Sequence, residues 1–479
     1  MQNIKQKTKY GMLWNAFENM SVQGISFIVH IILARLLSPS DYGIIGLLTI
    51  FFIFSNVFID SGFSRALIQN QDRSEEDFST VFIFNVIISI VIYFVLFIFS
   101  PVIANYFGFH ELILLQKVLF INIILTALTV VQNVKLQINI DFRKIALIKL
   151  ISISISSILA IISAIYGYGV WSLVILNVSK NIISTIFFWI YGKWIPSAKF
   201  SLNSLKKLLP FSFRLLLSDL LTTITNNILN LIIGKAYKPD QLGLYTRARQ
   251  FPEIIFATLN SAFNTATFPL LASLQNDKTL LQNAFIRLIK TSAILIFPLM
   301  AGLAILSEEI IIFILTDKWL LSVPYLFWIS LSFIFIPLST LNLSLMNAIG
   351  RSDVVLKVEL AKIPMLILTL IITLPISIKA VLIGQLAISF INYLLTTVLI
   401  TKLIKLATIK QFLALRNPII ASLIMVLFIC IIKELLTYVL FVKLAIIIIC
   451  AVVVYYFSLK ILKEEELSFL LKNIINLFK

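Results

Sequence analysis

Apolar stretches long enough to cross a bilayer recur along the whole of this 479-residue chain, and they exclude most folds. Hydrophobic residues make up 60% of the chain and charged residues only 13%, whereas a soluble protein has about 45–50% and about 25%. Water cannot solvate a surface of that composition. We therefore predict an all-α polytopic membrane protein, which excludes a soluble enzyme, a secreted disulfide scaffold and a disordered chain.

A transmembrane helix needs about 20 mostly apolar residues, and the sequence divides into about fourteen such segments. The predicted spans are 11–36, 42–63, 78–100, 112–134, 145–165, 170–191, 209–234, 242–270, 285–306, 322–348, 354–376, 380–401, 417–437 and 441–461. Polar residues within the first span predict a retained helix rather than a cleaved signal peptide. The tail after Lys463 is predicted to be amphipathic and to lie along the membrane surface.

The net charge of +17 is interpreted as an orientation signal, because most basic residues lie between the apolar segments. If the N-terminus is cytoplasmic, the inner segments hold 26 lysines and arginines and the outer ends hold 10. This asymmetry predicts a multi-pass protein with both termini in the cytoplasm. No basic stripe carries interleaved aromatic residues, so nucleic acid is not an expected partner.

An internal repeat appears when the sequence is shifted by 200 residues. Pro39 then aligns with Pro239 and Gly43 with Gly243, and a cation precedes each proline by four residues. The offset covers six predicted spans, and an even number returns the chain to the same side of the membrane. The repeat therefore predicts two parallel six-helix lobes around a central cavity, followed by two further helices, which is typical of transporters. The predicted divisions are an N-terminal lobe (1–191), a cytoplasmic linker (192–208), a C-terminal lobe (209–405), and two extra helices with the tail (406–479).

Ionisable side chains inside a membrane are costly, so they usually face a cavity or a charged partner. Three cations belong to neither the inner nor the outer ends of the predicted spans: Lys180, Arg214 and Lys362. With Asn181 and Asn226 they are the candidate substrate-binding residues, because a cationic cavity suits a phosphate-bearing substrate. Two alternatives stay open, a salt bridge between Lys362 and the nearby Glu359, and snorkelling of Lys180.

Two intramembrane carboxylates, Glu18 and Asp219, fall at almost the same height under the 200-residue offset. They are the candidates for coupling transport to Na⁺ or H⁺. The alternative for Glu18 is a pair with a lysine near the inner interface. Asp219 and Arg214 are five residues apart, which is a poor spacing for an intrahelical pair. Neither a cofactor nor a metal site is expected, and the chain has no nucleotide-binding loop and no hydrolase motif, so an enzyme is not predicted.

Several segments resemble the polysaccharide exporters of the Wzx type, within the multidrug/oligosaccharidyl-lipid/polysaccharide superfamily. The most similar branch is that of the colanic-acid and teichuronic-acid exporters. The residues that carry the resemblance are GMLW at 11–14, LARLLSPSDYG at 33–43, DSGFSRALIQ at 60–69, GLYTRA at 243–248, FPLLA at 268–272 and NAIGR at 347–351. Segment 33–69 is the most specific of these.

The resemblance implies a protein of the bacterial cytoplasmic membrane that takes part in surface polysaccharide biosynthesis. Such a protein flips an undecaprenyl-diphosphate-linked oligosaccharide from the inner to the outer leaflet by alternating access. Its implied partners are this substrate, membrane lipids and polysaccharide assembly proteins such as a polymerase. An alternative is a cation-coupled multidrug exporter of the same superfamily, for which an acidic or neutral cleft is expected. The family has no strict site motif to transfer.

Overall fold

The computed structural model describes residues 2–60, 62–197, 199–436 and 439–468. Within these ranges it does not describe the side chains of residues 2–9, 12, 13, 15, 16, 226, 261–266, 268 and 269. All regular elements of the described residues are helical. Contacts between residues divide the chain into a first unit, Met1–Gly243, and a second unit, Leu244–Lys479.

Ten helices and the start of an eleventh form the first unit. They are α1 (Gln2–Leu36), α2 (Pro39–Asp60), α3 (Phe63–Gln69), α4 (Glu75–Ile98), α5 (Ser100–Phe107), α6 (Leu112–Leu119), α7 (Ile121–Ile138), α8 (Phe142–Ile165), α9 (Val170–Gly192), α10 (Leu202–Ala236) and α11 (Pro239–Ser273). Helix α8 packs between α1 and α9, and α10 packs against α2, α3 and α4.

The remaining helices form the second unit. They are α12 (Lys278–Ile305), α13 (Ser307–Leu315), a 3₁₀ turn (Asp317–Ser322), α14 (Val323–Ser332), α15 (Ile336–Ala348), α16 (Ser352–Thr373), α17 (Ile378–Ile404), α18 (Thr408–Leu435) and α19 (Leu440–Ile461). Helix α12 packs against α14 and α18, and α18 also packs against α19.

The all-α, multi-spanning architecture predicted from the composition is confirmed. Twelve helices of the described residues are long and apolar enough to cross a membrane. The two other predicted spans, 242–270 and 354–376, fall on helices α11 and α16. Helix α16 carries four charged residues in its first half, which lowers its apolar character. The count of fourteen spans therefore stays a prediction.

The 200-residue repeat is reproduced in the helix boundaries. Helices α1 and α10 run from residues 2 to 36 and from 202 to 236, and helices α2 and α11 begin at Pro39 and Pro239. Proline is favourable at the start of a helix, because the first turn has no backbone acceptor for its missing N–H. The predicted lobe and linker boundaries stay a prediction; in the structure, α10 belongs to the first unit.

Two repeat-related glycines mark a close backbone approach in the first unit. A Cβ atom placed on Gly43 would collide with the carbonyl oxygen of Pro239, and one placed on Gly243 would collide with the carbonyl oxygen of Pro39. The start of α2 therefore crosses residues 239–243 at a distance that only glycine permits on both sides. The repeat thus brings its two proline–glycine turns into reciprocal contact.

An ion pair and a tryptophan hold the segment after α9 against α4 and α7. Lys135 lies 2.7 Å from Glu75, and the indole N–H of Trp194 donates to the same carboxylate at 2.7 Å. The amide of Gln132 donates to the carbonyl of Trp194 at 2.7 Å, and Trp194 itself is buried beside Phe78. These contacts fix one end of the first unit without involving α1, α8 or most of α9.

The beginning of the C-terminal tail docks on the second unit. The Glu464 carboxylate is buried, lies 3.3 Å from the Lys290 ammonium and accepts a hydrogen bond of 2.8 Å from the Asn417 amide. Glu466 pairs with Arg287 at 2.7 Å. Residues 464–468 therefore contact α12 and α18 through charges, whereas the prediction placed them along the membrane surface. Residues 469–479 lie outside the described part of the chain.

Replacing Glu464 with alanine is expected to lower the free energy of unfolding of the second unit by about 2 kcal/mol. The loss follows because charge-assisted hydrogen bonds contribute about 1.5–3 kcal/mol and Lys290 and Asn417 lose their shared acceptor. Thermal unfolding of the detergent-solubilised protein measures the effect. Glu465, which is exposed, is the matched control, and Glu465→Ala should leave the melting temperature unchanged. Equal melting temperatures for both variants would contradict the docking.

Candidate functional site

A stripe of small residues allows α8 to approach its neighbours closely. Ser152, Ser156, Ala160 and Ala164 are all buried and recur every four residues, so they lie on one face of the helix. Small residues at this spacing let helix backbones come together inside a membrane. The serine hydroxyls donate to carbonyls of their own helix, so they need no partner on α1 or α9. This packing brings intramembrane charges of α1, α8 and α9 to one place.

The central contact of this site is an ion pair between Glu18 on α1 and Lys149 on α8. The Lys149 ammonium donates to the Glu18 carboxylate at 2.6 Å. The Glu18 side chain is only 5% exposed, whereas that of Lys149 is 43% exposed. The pair is therefore asymmetric: the Glu18 carboxylate is enclosed by protein, whereas protein leaves part of the Lys149 side chain uncovered. This is the lysine-paired alternative considered for Glu18 from the sequence.

Lys180 on α9 is the third charge of the site. It is partly buried and lies close enough to Lys149 for the two positive charges to interact. Its ammonium makes no hydrogen bond or ion pair with any residue that the structure describes. The carboxylate of Glu18 and the two lysines therefore sum to one net positive charge. We call Glu18, Lys149 and Lys180 the dilysine cluster.

The depth of the two lysines follows from the α8–α9 hairpin, in which the start of α8 and the end of α9 share one end of the unit. Lys149 lies seven residues from the start of α8, and Lys180 lies twelve residues before the end of α9. With a rise of 1.5 Å per residue, they lie about 10 Å and about 18 Å from that end. An anion that enters from this side meets Lys149 first and Lys180 about 8 Å deeper.

The second carboxylate candidate, Asp219, has a partner that the sequence did not suggest. Arg65 on α3 approaches it to 3.4 Å, and both side chains are partly exposed. Gly62 allows this contact, because its positive φ of 71° and its approach to Leu215 seat the start of α3 on α10. Arg214 is exposed and makes no ion pair with the described residues. The expectation that Asp219 and Arg214 do not pair agrees with this geometry.

The other predicted site residues do not join the cluster. Lys362 in the second unit pairs with Glu359 at 2.6 Å, which is the alternative weighed for it from the sequence. Asn181 follows Lys180 on α9 and is partly buried. The side chain of Asn226 lies outside the described residues. No group of three or more histidine, cysteine, aspartate or glutamate side chains suited to a metal ion occurs among the residues searched. The substrate and coupling roles of all these residues stay predictions.

The second unit contains an apolar cavity of about 510 Å³ among α12, α14, α17 and α18. Aromatic rings line it, and those of Phe335, Tyr393 and Phe412 contact one another. Its lining offers no charged group, so it cannot bind a phosphate. An anion-binding site needs positive charges within spanning helices. The first unit, which holds Lys149 and Lys180, is therefore the better candidate for that site.

Sequence reasoning missed Lys149 and Arg65 as partners of the two carboxylates. Arg65 lies within the segment 60–69 that carries the family resemblance, so the sequence did mark this residue as one of interest. Lys149 was counted only among the inner basic residues, and 131 residues separate it from Glu18. Pairing over that distance depends on the packing of α1 against α8.

The repeated helical architecture and the unpaired cations inside spanning helices define a membrane transporter of the flippase and exporter class. The chain belongs to the polysaccharide biosynthesis protein family, whose family model matches residues 32–324. The resemblance stated from the sequence is thereby confirmed.

Two curated relatives agree with this assignment, and two solved structures share the fold. The chain is 28% identical to the teichuronic acid biosynthesis protein TuaB of Bacillus subtilis, over 74% of each chain. It is 25% identical to the succinoglycan biosynthesis transport protein ExoT of Rhizobium meliloti, over 67% of this chain and 65% of that one. The lipid II flippase MurJ shares the fold, with a TM-score of 0.75, 18% identity and coverage of 95% and 99%. A MATE-family multidrug transporter gives a TM-score of 0.62, with 16% identity and coverage of 80% and 95%.

Proposed function

We propose that this protein flips a polyprenyl-diphosphate-linked oligosaccharide from the inner to the outer leaflet of the bacterial cytoplasmic membrane. Family membership and the names of the relatives, which concern teichuronic acid and succinoglycan, support a role in surface polysaccharide synthesis. The flippase fold supports movement of a lipid-linked substrate. The proposed mechanism is alternating access, in a protein with both termini in the cytoplasm. The proposed partner in polymer assembly is a polymerase.

The observation that carries the proposal is the dilysine cluster. A diphosphate diester carries two negative charges, and a site with two lysines on spanning helices supplies matching charge. Arg214, partly exposed Asn181 and the second-unit residue Lys362 are further candidates for contact with phosphate or sugar. Coupling to Na⁺ or H⁺ is proposed to act through Glu18 or Asp219.

A multidrug exporter is the competing function, and the charge of the site separates the two. Transporters of cationic drugs need carboxylates that are free to attract a positive charge. Here Glu18 and Asp219 are both ion-paired, whereas Lys180 and Arg214 make no ion pair with the described residues. The charges at these candidate residues therefore favour an anionic substrate.

Deletion of the gene is expected to remove the surface polymer and to leave complete lipid-linked repeat units on the cytoplasmic leaflet. Lipid mass spectrometry of the deletion strain measures their accumulation and also identifies the glycan. Strains that produce Lys180→Ala or Arg214→Ala should show the same accumulation at normal protein levels. Lys207→Ala is the matched control, since Lys207 is an exposed lysine of the first unit.

Two results would contradict the proposal. Intact surface polymer without accumulated lipid-linked units would show that the substrate is not a lipid-linked oligosaccharide. A gain in drug sensitivity on deletion would then favour the multidrug exporter. Normal polymer from both substituted proteins would instead remove the assignment of Lys180 and Arg214 to the substrate site.

A further inference from the structure

The dilysine cluster holds more positive charge than its own carboxylate neutralises. The Lys149 ammonium has three N–H donors, and one of them donates to Glu18 at 2.6 Å. The Lys180 ammonium donates to none of the described residues. Two like charges on the packed helices α8 and α9 repel each other, and the low dielectric constant inside a membrane protein strengthens that repulsion. The site is therefore poised to accept a further anion.

A dianion changes the charge balance of the cluster. Two lysines and a diphosphate diester together are neutral, and Glu18 then becomes an excess negative charge beside the bound phosphate. Lys149 cannot neutralise both anions. Glu18 and the phosphate therefore compete for the same ammonium, and the exposed side of Lys149 is where the phosphate arrives.

We propose that Glu18 is an internal counter-anion that competes with the substrate diphosphate for Lys149 and so promotes release of the substrate. This inference rests on the proposed function. A transport site must bind its substrate well enough to load it and weakly enough to release it on the other side. Glu18 pairs with Lys149 in the protein without substrate, and the same ion pair forms again as the phosphate leaves. Lys149 is thereby a substrate-binding residue, and Glu18 a residue that sets affinity without touching the substrate.

The test compares binding of a diphosphate diester with two negative charges, farnesyl-diphosphate-linked N-acetylglucosamine, to the purified full-length protein in detergent. Glu18→Gln removes the competitor, and about tenfold tighter binding is expected, which corresponds to about 1.4 kcal/mol. Lys149→Met should weaken binding by at least about tenfold. In the double variant, Glu18→Gln should give a clearly smaller gain than in the wild-type background, because the competition for Lys149 is gone and only the direct repulsion between the two anions remains.

Glu75→Gln is the matched control. Glu75 is also a carboxylate paired with a lysine of the first unit, at 2.7 Å, but its partner is Lys135 on α7 and not a residue of the cluster. This substitution should leave the affinity unchanged. In strains, Glu18→Gln should reduce export of the polymer although binding is tighter, because release becomes slow.

The outcomes are distinct. An unchanged or lower affinity of folded Glu18→Gln, or an undiminished gain in the Lys149→Met background, would overturn the inference while leaving the proposed function intact. Failure of the wild-type protein to bind the lipid diphosphate would instead contradict the proposed function. If Glu18→Gln does not fold, Glu18→Asp provides the test: its shorter side chain weakens the pair, and a smaller gain in affinity is expected.

Discussion

Alanine at position 43 is expected to lower the free energy of unfolding of the first unit by about 1–3 kcal/mol and to abolish polymer export. The new methyl group would overlap the backbone carbonyl of Pro239, and a backbone atom cannot move aside as a flexible side chain can. Overpacking of this kind costs about 1–3 kcal/mol. Gly243→Ala should give a similar loss, because its methyl group would meet the carbonyl of Pro39.

Thermal unfolding in detergent and the amount of surface polymer measure these effects. Gly24→Ala is the matched control, because Gly24 lies within helix α1 and a Cβ atom there meets nothing within 4 Å. That substitution should be neutral or slightly stabilising, since alanine favours the helix over glycine by about 1 kcal/mol. Equal stability of all three variants would show that the crossing of residues 39–43 with residues 239–243 is looser than described.

The two members of the Glu18–Lys149 pair are expected to differ in their effect on stability. Lys149→Met leaves a carboxylate that is 5% exposed without its partner, and removal of one partner from a buried pair costs about 3–5 kcal/mol. Glu18→Gln leaves an ammonium that is 43% exposed and can be solvated, so the expected loss is about 1 kcal/mol. The double variant leaves neither charge of this pair and should recover most of the stability lost in Lys149→Met.

The midpoint of thermal unfolding in detergent measures this order. Lys207→Met, at an exposed lysine of the same unit, is the control for the loss of a positive charge. Equal losses for Glu18→Gln and Lys149→Met, or no recovery in the double variant, would show that the burial of Glu18 does not govern the energetics of the pair. This measurement also identifies which variants are folded enough for the binding test.

Much of the fold could be predicted from the sequence, because a bilayer restricts a chain to few solutions. Apolar stretches of about 20 residues must become helices, since their backbone groups have no other partners in lipid. The 200-residue repeat is likewise a property of the sequence, and the matching bounds of α1 and α10 reflect it. The sequence predicts a span over 354–376, but α16 carries several charges and composition alone does not say what neutralises them, so this span stays a prediction.

The sequence by itself determined the class of protein, the helices, the repeat and the presence of charges inside spanning segments. The ion-pair partners of those charges, in contrast, follow from the tertiary structure. Glu18 meets Lys149, and Asp219 meets Arg65, across more than 100 residues of chain. The glycines of the repeat were recognisable as turn residues, but the reciprocal contact of Gly43 and Gly243 with the opposite proline appears only when the helices are packed. Local sequence fixes backbone conformation and hydrophobic burial, whereas the partner of a buried charge depends on which helices pack together.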